Sequence, residues 1–242
     1  MSKLGKKKTK SKSNITMVVI LILTVITLFY IHQYSNHTSE FSWPQYNGKP
    51  YIEINSNIPY FTKEEKNIQS FETYADLDYL GRCGVAYACL SKETMPTKER
   101  EKIGMIKPSG WQTVKYPDII DDLYLYNRCH LIAWCLSGEN ANEKNLITGT
   151  RYMNIEGMLP FEEKVAKYID TSGNHVLYRA TPIFEGKNLV VSGVLLEAYS
   201  VEDQGTGIQF CVYCFNVQPG IEIDYRTGKS KVKIDNYLIN LE

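Results

Sequence analysis

Tyr126-Asn127-Arg128-Cys129-His130-Leu131-Ile132-Ala133-Trp134, followed by Asn142-Glu143-Lys144-Asn145 and then by Thr150-Arg151-Tyr152-Met153-Asn154, sets the reading of this chain. Between Asn127 and Asn154 lie an imidazole, a guanidinium and several carboxamides. Each type has a use in cleaving a phosphodiester. Histidine accepts a proton from water near neutral pH. A carboxamide oxygen is a hard ligand that suits a magnesium ion still carrying most of its waters. Arginine matches phosphate oxygens with a planar fork of donors. Taken singly, a His beside apolar residues or an Asn in a turn is commonplace; the combination carries the reading.

The local pattern places these residues on an ordered unit. Asp122 to Trp134 alternates enough apolar residues to read as a strand running through the motif. Ser137 to Lys144 is rich in Gly, Asn, Ser and Glu and reads as a loop. Leu146-Ile147-Thr148 is short and β-prone, and Thr150 is an N-cap for a helix through Tyr152, Ile155, Met158, Val165 and Tyr168. Pro160 should kink or restart that helix. Further β-prone segments are Gly84–Leu90, His175–Phe184, Asn188–Tyr199 and Ile208–Val217, with a late hairpin pairing 221–225 with 231–234. The predicted fold is α+β: a central antiparallel sheet flanked by helices.

This set of residues resembles the DNA/RNA non-specific endonuclease family, from about Tyr79 to about Ser200. That family carries Asp-Arg-Gly-His on a strand, a downstream Asn-x-x-Asn turn and an Asn on the following helix, within a ββα-metal catalytic unit. Within it the chain is similar to membrane-anchored DNA-entry nucleases of the streptococcal type. Asn127-Arg128-Cys129-His130 takes the first place, Asn142-Glu143-Lys144-Asn145 the second and Asn154 the third. Two positions depart: Asn127 stands for Asp and Cys129 for Gly.

The resemblance implies a Mg²⁺-dependent endonuclease (Mn²⁺ as a substitute) acting on DNA and RNA and leaving 5′-phosphates. His130 would be the base, Asn154 the metal ligand, and Arg128 the group that stabilises phosphoryl charge. Asn145 would orient the loop or the imidazole. Glu162, two helical turns beyond Asn154, would hold metal waters or an arginine. Strand alternation puts Arg128 and His130 on one face and Cys129 on the other. The alternative is a catalytically inactive nucleic-acid-binding or adhesion module of the same fold. Lys107-Pro108-Ser109-Gly110-Trp111 is a turn that either packs through its Trp or meets substrate.

The N-terminal end carries a different signal. Lys3, Lys6, Lys7, Lys8, Lys10 and Lys12 precede an uncharged run from Ile15 to Ile31. Residues 1–14 therefore read as a basic cytoplasmic segment and 15–32 as a single transmembrane anchor or uncleaved signal; a cleaved signal peptide, which would leave the domain secreted, is the competing reading. Residues 33–45 read as a tether and 46–242 as one domain facing outward. The chain totals 27 basic and 27 acidic residues; without the six N-terminal lysines 21 basic residues face 27 acidic ones, a formal charge of −6. Nonspecific nucleic-acid binding is largely electrostatic, so a cation and a local patch must attract the phosphate. Arg128, Arg151, Lys144 and the Lys107 region are candidates.

Six cysteines occur, at 83, 89, 129, 135, 211 and 214. Cys83/Cys89 and Cys129/Cys135 are each six apart, about 20 Å along a strand, too far for a bond within either pair. Cys211 and Cys214 would point to opposite faces of one strand, which argues against a redox pair or half a zinc site. His175, after Gly173-Asn174, reads as a surface residue, and Cys129 beside His130 makes a poor nucleophile-base pair because adjacent strand residues point apart.

Overall fold

The computed structural model describes residues 17, 20, 23–27, 42–66 and 69–233. The chain divides into two compact units, Met1–Gln45 and Tyr46–Glu242. In the first, residues 17, 20 and 23–27 are helical. The Thr24 and Thr27 hydroxyls donate back to the carbonyls of Ile20 and Leu23. Among the described residues no helix is long and apolar enough to cross a membrane. Most of the expected anchor, and all of the segment 1–14, lie outside the described residues.

The second unit contains, in chain order, strands β1 (Tyr51–Glu53), β2 (Phe71–Tyr74), β3 (Ala86–Leu90) and β4 (Tyr126–His130), and a short helix α1 (Trp134–Ser137). Then come β5 (Leu146–Thr150), a π-helical turn (Met153–Met158), helix α2 (Leu159–Ser172), β6 (Val176–Ile183), β7 (Gly193–Ser200), β8 (Gln209–Phe215), β9 (Ile221–Ile223) and β10 (Ser230–Val232). Six strands form one antiparallel sheet in the order β1-β8-β7-β6-β3-β2, while β4 pairs with β5 and β9 with β10.

Period-2 alternation sorts the sheet into two faces. Tyr178, Ala180, Leu196, Ala198, Phe210, Val212 and Cys214 point to one side, where Met153, Met158, Val165 and Ile169 of the helical segment and Cys129, Leu131 and Ile147 of the β4–β5 pair join them in the main core. The helix is thus sandwiched between the sheet and the short hairpin that carries the motif. Buried Asn216 fixes that hairpin to the sheet. Its Nδ2 donates to the carbonyls of Thr148 and Val191, and its Oδ1 accepts from the Thr150 amide. On the other face Arg179 and Glu197 form a bidentate pair at 2.7 and 2.9 Å.

Several boundaries differ from the sequence expectation. The motif strand begins at Tyr126 rather than Asp122, because Leu123 adopts a left-handed φ of 69° in a turn closed by Tyr116 N–H to Leu123 O. It ends at His130, and Trp134 starts α1. β7 begins at Gly193, not Asn188; Leu189 and Val190 both donate instead to the Tyr225 carbonyl. Cys129 lies in β4 and Cys135 in α1, so the two do not share a strand. The helix does change character near Pro160. Thr150 Oγ1 accepts from the Met153 amide, and Leu159 N–H reaches back five residues to the Asn154 carbonyl. Proline has no N–H to continue the ordinary ladder; a π-turn there ends its run before α2 begins. Gly173 stops α2 in the left-handed conformation (φ 73°), donating to the Ile169 carbonyl.

Candidate active site

A cleft of about 1050 Å³ is lined by Arg100, Trp111, Asn127, Arg128, His130, Arg151, Asn154 and Glu162, among others. β4 supplies the first part of the motif, the π-turn supplies Asn154, and α2 supplies Glu162. Four of the five residues expected at the site therefore share one cleft. The fifth, Asn145, is fully buried beneath it and does not line it. Its Oδ1 accepts from Ile132 N–H and its Nδ2 donates to the Ile132 carbonyl. It locks the segment just after His130 to the turn before β5, with no contact to the imidazole.

His130 is buried. Its Nε2 lies 2.9 Å from the Asn140 carbonyl oxygen, which can only accept. Nε2 therefore carries the proton and Nδ1 keeps its lone pair. An Arg100 terminal nitrogen stands 3.5 Å from Nδ1. Burial lowers the imidazole pKa from 6.5 to about 4; the Asn140 carbonyl works against that shift, and the Arg100 charge reinforces it. The ring is neutral at physiological pH, as a base must be. An incoming phosphate anion would offset the Arg100 charge and strengthen it.

Arg128 lines the cleft but faces protein carbonyls. Its Nε donates to Ile106 O at 2.5 Å and Nη2 to Gly104 O at 2.8 Å, while the guanidinium lies 4.1 Å from the Trp111 ring centre. It braces the 104–106 segment instead of presenting an open fork. The cation next to the base is Arg100. Asn140 Nδ2 ties the same overhanging segment down by donating to Glu101 O at 3.1 Å. Arg100 sits in the charged run Thr97-Lys98-Glu99-Arg100-Glu101-Lys102, which in sequence looks like solvated surface. Nothing marked it. Asn140 acts through its backbone carbonyl, which leaves no residue-type signal at all.

Cys129 points away from Arg128, as strand alternation requires, and meets the expected metal ligand from below. Its Sγ lies 2.7 Å from Asn154 Oδ1 and 3.8 Å from Met158 Sδ. Space for the thiol comes from Gly149: a Cβ there would approach Cys129 Cβ to 2.8 Å and its Sγ to 3.0 Å. Glu162, 7% exposed, has its carboxyl pKa raised to about 8 by burial, with Arg100 lowering it and Glu163 raising it. Among the described residues no group of three or more His, Cys, Asp or Glu side chains could hold a metal. A cation here would rest on the Asn154 carboxamide oxygen, with water and substrate filling the rest. That donor chemistry fits a hard, well-hydrated divalent ion.

Of the other basic candidates, Lys144 pairs with Asp76 at 2.6 Å, away from the cleft, and Arg151 pairs with Asp122. His175 is bonded to Glu202 through both its backbone N–H and Nδ1.

Comparison with known proteins gives the family and the fold. Residues 57–202 match the family model described as DNA/RNA non-specific endonuclease. A curated deoxyribonuclease of Streptococcus dysgalactiae subsp. equisimilis is 34% identical over 110 residues, 43% of this chain; the match spans about a third (32%) of that relative's length. NucA from Streptococcus agalactiae, in a crystal structure with magnesium bound, superposes with a TM-score of 0.68 at 25% identity, covering 84% of this chain and 95% of that one. Sda1 nuclease with bound zinc superposes at 0.64 with 26% identity, covering 76% and 97%.

Proposed function

Because this chain belongs to the DNA/RNA non-specific endonuclease family, we propose that it hydrolyses DNA and RNA phosphodiesters with the help of Mg²⁺, leaving 5′-phosphates, and does so outside the cytoplasm. The observation that carries the reading is one cleft holding a base of fixed tautomer, a hard oxygen ligand and an arginine beside the base. The β4–β5 pair and the helix after it act as a ββα-metal unit.

His130 Nδ1 accepts a proton from the attacking water, and the Asn140 carbonyl holds Nε2–H so that the resulting imidazolium is stabilised where it forms. Arg100 is placed to meet a phosphoryl oxygen as that oxygen gains charge, a contribution of a few kcal/mol for a well-aimed donor. Asn154 would hold the metal, with Mn²⁺ able to replace Mg²⁺; when bound, the ion would supply positive charge for the departing 3′ oxygen. Glu162 orients water in the same cleft. The names of the structural relatives, one with magnesium and one with zinc, support a divalent requirement.

The membrane location rests on the lysine-flanked apolar run 15–31 and on Thr24 and Thr27, whose hydroxyls are satisfied within the helix, as a hydrocarbon setting demands. Purified protein incubated with plasmid and with RNA tests the activity. Cleavage with Mg²⁺, loss in chelator, loss in His130→Ala and 5′-phosphate ends are expected. Intact plasmid under every divalent cation would instead point to the inactive binding module.

A further inference from the structure

The nuclease domain has an electrostatic problem. Beyond the apolar run, 21 basic residues face 27 acidic ones, and apart from Arg100 beside the base the arginines and Lys144 expected to meet phosphate are committed within the protein. Arg128 is bonded to two carbonyls, Arg151 to Asp122 and Lys144 to Asp76. A polyanion longer than a dinucleotide needs a further run of positive charge.

One side of the cleft cannot supply it. A neighbouring cleft of about 790 Å³, sharing Trp134 with the first, is lined by Glu72, Glu93, Glu99, Glu101 and Glu139 against a single Lys98. It repels phosphate. On the Trp111 side stands the β9–β10 hairpin. Its inner residues Ile221 and Ile223 pack in a small core with Trp111 and Tyr126, both of which line the active cleft. Its turn is bonded to the same wall: Gln112 Nε2 donates to Thr227 O, Tyr126 Oη donates to Gly228 O, and Tyr116 Oη pairs with Ser230 Oγ. The hairpin is therefore a rigid extension of the cleft rim.

Its outer face is basic. Lys229, Lys231 and Lys233 alternate with Ser230 and Val232, and all three are exposed, as is Arg226 in the turn. Alternate residues of an extended strand share a face, about 6.6 Å apart. The acids on the hairpin itself are Glu222, 3.1 Å from Lys231, and Asp224, whose carboxylate accepts from Thr227 Oγ1 and Arg226 N–H and also faces Lys229; Glu185 lies on the side of Tyr225. Four basic residues against two acidic ones make this arm positive within a negative domain.

We propose that the β9–β10 hairpin is a phosphate-tracking arm: it takes the nucleic-acid strand leaving the cleft past Trp111, away from the acidic neighbour. This rests on the nuclease reading and adds the path of the substrate. The test is a Lys229→Gln/Lys231→Gln/Lys233→Gln variant, checked for an unchanged melting temperature. Binding of a short synthetic duplex is measured in a His130→Ala background between roughly 50 and 200 mM salt. Cleavage of plasmid and of a dinucleotide is measured with His130 intact.

The expected result is a salt slope shallower by about 2 to 3 and plasmid kcat/KM reduced about tenfold or more, with dinucleotide cleavage unchanged. An unchanged salt slope, or equal loss on plasmid and dinucleotide, would overturn the proposal while leaving the nuclease reading in place. Failure of the unmutated protein to cleave either substrate would overturn the nuclease reading instead, and the binding slope would still decide the role of the arm.

Discussion

The two faces of the central sheet use the same side-chain chemistry to opposite ends. On the outer face Glu197, 2% exposed, accepts from Arg179 Nε and Nη2 and from Tyr60 N–H, while Arg179 also reaches Glu65 and lies over Phe61. On the cleft face another buried carboxyl, Glu162, has its pKa raised to about 8 with Arg100 as the nearby cation. Among the described residues, the fully buried Tyr178 hydroxyl, whose ionisation is opposed by Glu162, has no hydrogen-bond partner. The first arrangement clamps the segment around Tyr60 to the sheet. The second places a buried carboxyl of raised pKa on the cleft wall without a close ion-pair partner among the described residues.

If that contrast is real, the two carboxyls must respond differently to mutation. Glu197→Ala removes the two closest acceptors of the half-buried Arg179, which keeps only Glu65, and unpairs Tyr60 N–H; it should destabilise the fold by about 1–3 kcal/mol in urea unfolding, with catalysis by the folded fraction little changed. Glu162→Gln should lower kcat about 10- to 100-fold without lowering stability at pH 7. The sign follows from the raised pKa: the folded state keeps a proton that the unfolded carboxyl releases near 4.5, so stability falls as pH rises from 4.5 to about 8. Glutamine should abolish that decline. A Glu162→Gln protein with the same pH–stability curve as the parent would remove the contrast.

The base offers a second probe. His130 titrates at about 4 when folded against 6.5 when free, so stability should drop as pH falls from 6.5 toward 4. The acid limb of kcat/KM should accordingly lie well below 6.5. Arg100→Gln removes a charge that lowers this pKa and should move the limb upward. A limb at 6.5 in both proteins would mean an exposed, unperturbed imidazole.

Smaller effects come from beneath the site. The Cys129 thiol at 2.7 Å fixes the Asn154 carboxamide. Cys129→Ala should weaken Mg²⁺ binding severalfold, and Cys129→Ser, which keeps a donor, should restore it; titration calorimetry reads both. Tyr178→Phe, which deletes an unpartnered hydroxyl, should change stability by no more than about 1 kcal/mol, in either direction. A larger loss would show that the hydroxyl is paired after all.

Much of this was legible from residue order. The β-branched and aromatic runs mark four of the six sheet strands, β3, β6, β7 and β8, but not the short edge strands β1 and β2; Thr150 with Pro160 marks the helix start and its interruption. His130, Asn154 and Glu162 stand out through the family resemblance, and all three line one cleft. What could not be read depended on tertiary contact. Arg128 looks like a phosphate ligand until the carbonyls of Gly104 and Ile106 are seen to occupy it. Arg100 is one charge among many in its segment. Asn140 holds the imidazole through a backbone atom common to every residue. Leu123 bends the chain into a left-handed turn that its side chain does not announce, so the strand was drawn four residues too long at its start. Lys229, Lys231 and Lys233 lie in the segment that the sequence reading takes only as a late hairpin; their common exposed face is a feature of the fold.

The division of labour in the cleft can be tested in one measurement: Mg²⁺ affinity by titration calorimetry, with plasmid cleavage followed in parallel, for His130→Ala and Asn154→Ala. His130→Ala should bind the ion as the parent does yet cleave at least about 100-fold more slowly. Asn154→Ala should lose both binding and cleavage. Full Mg²⁺ affinity in Asn154→Ala, or undiminished cleavage in His130→Ala, would contradict the account.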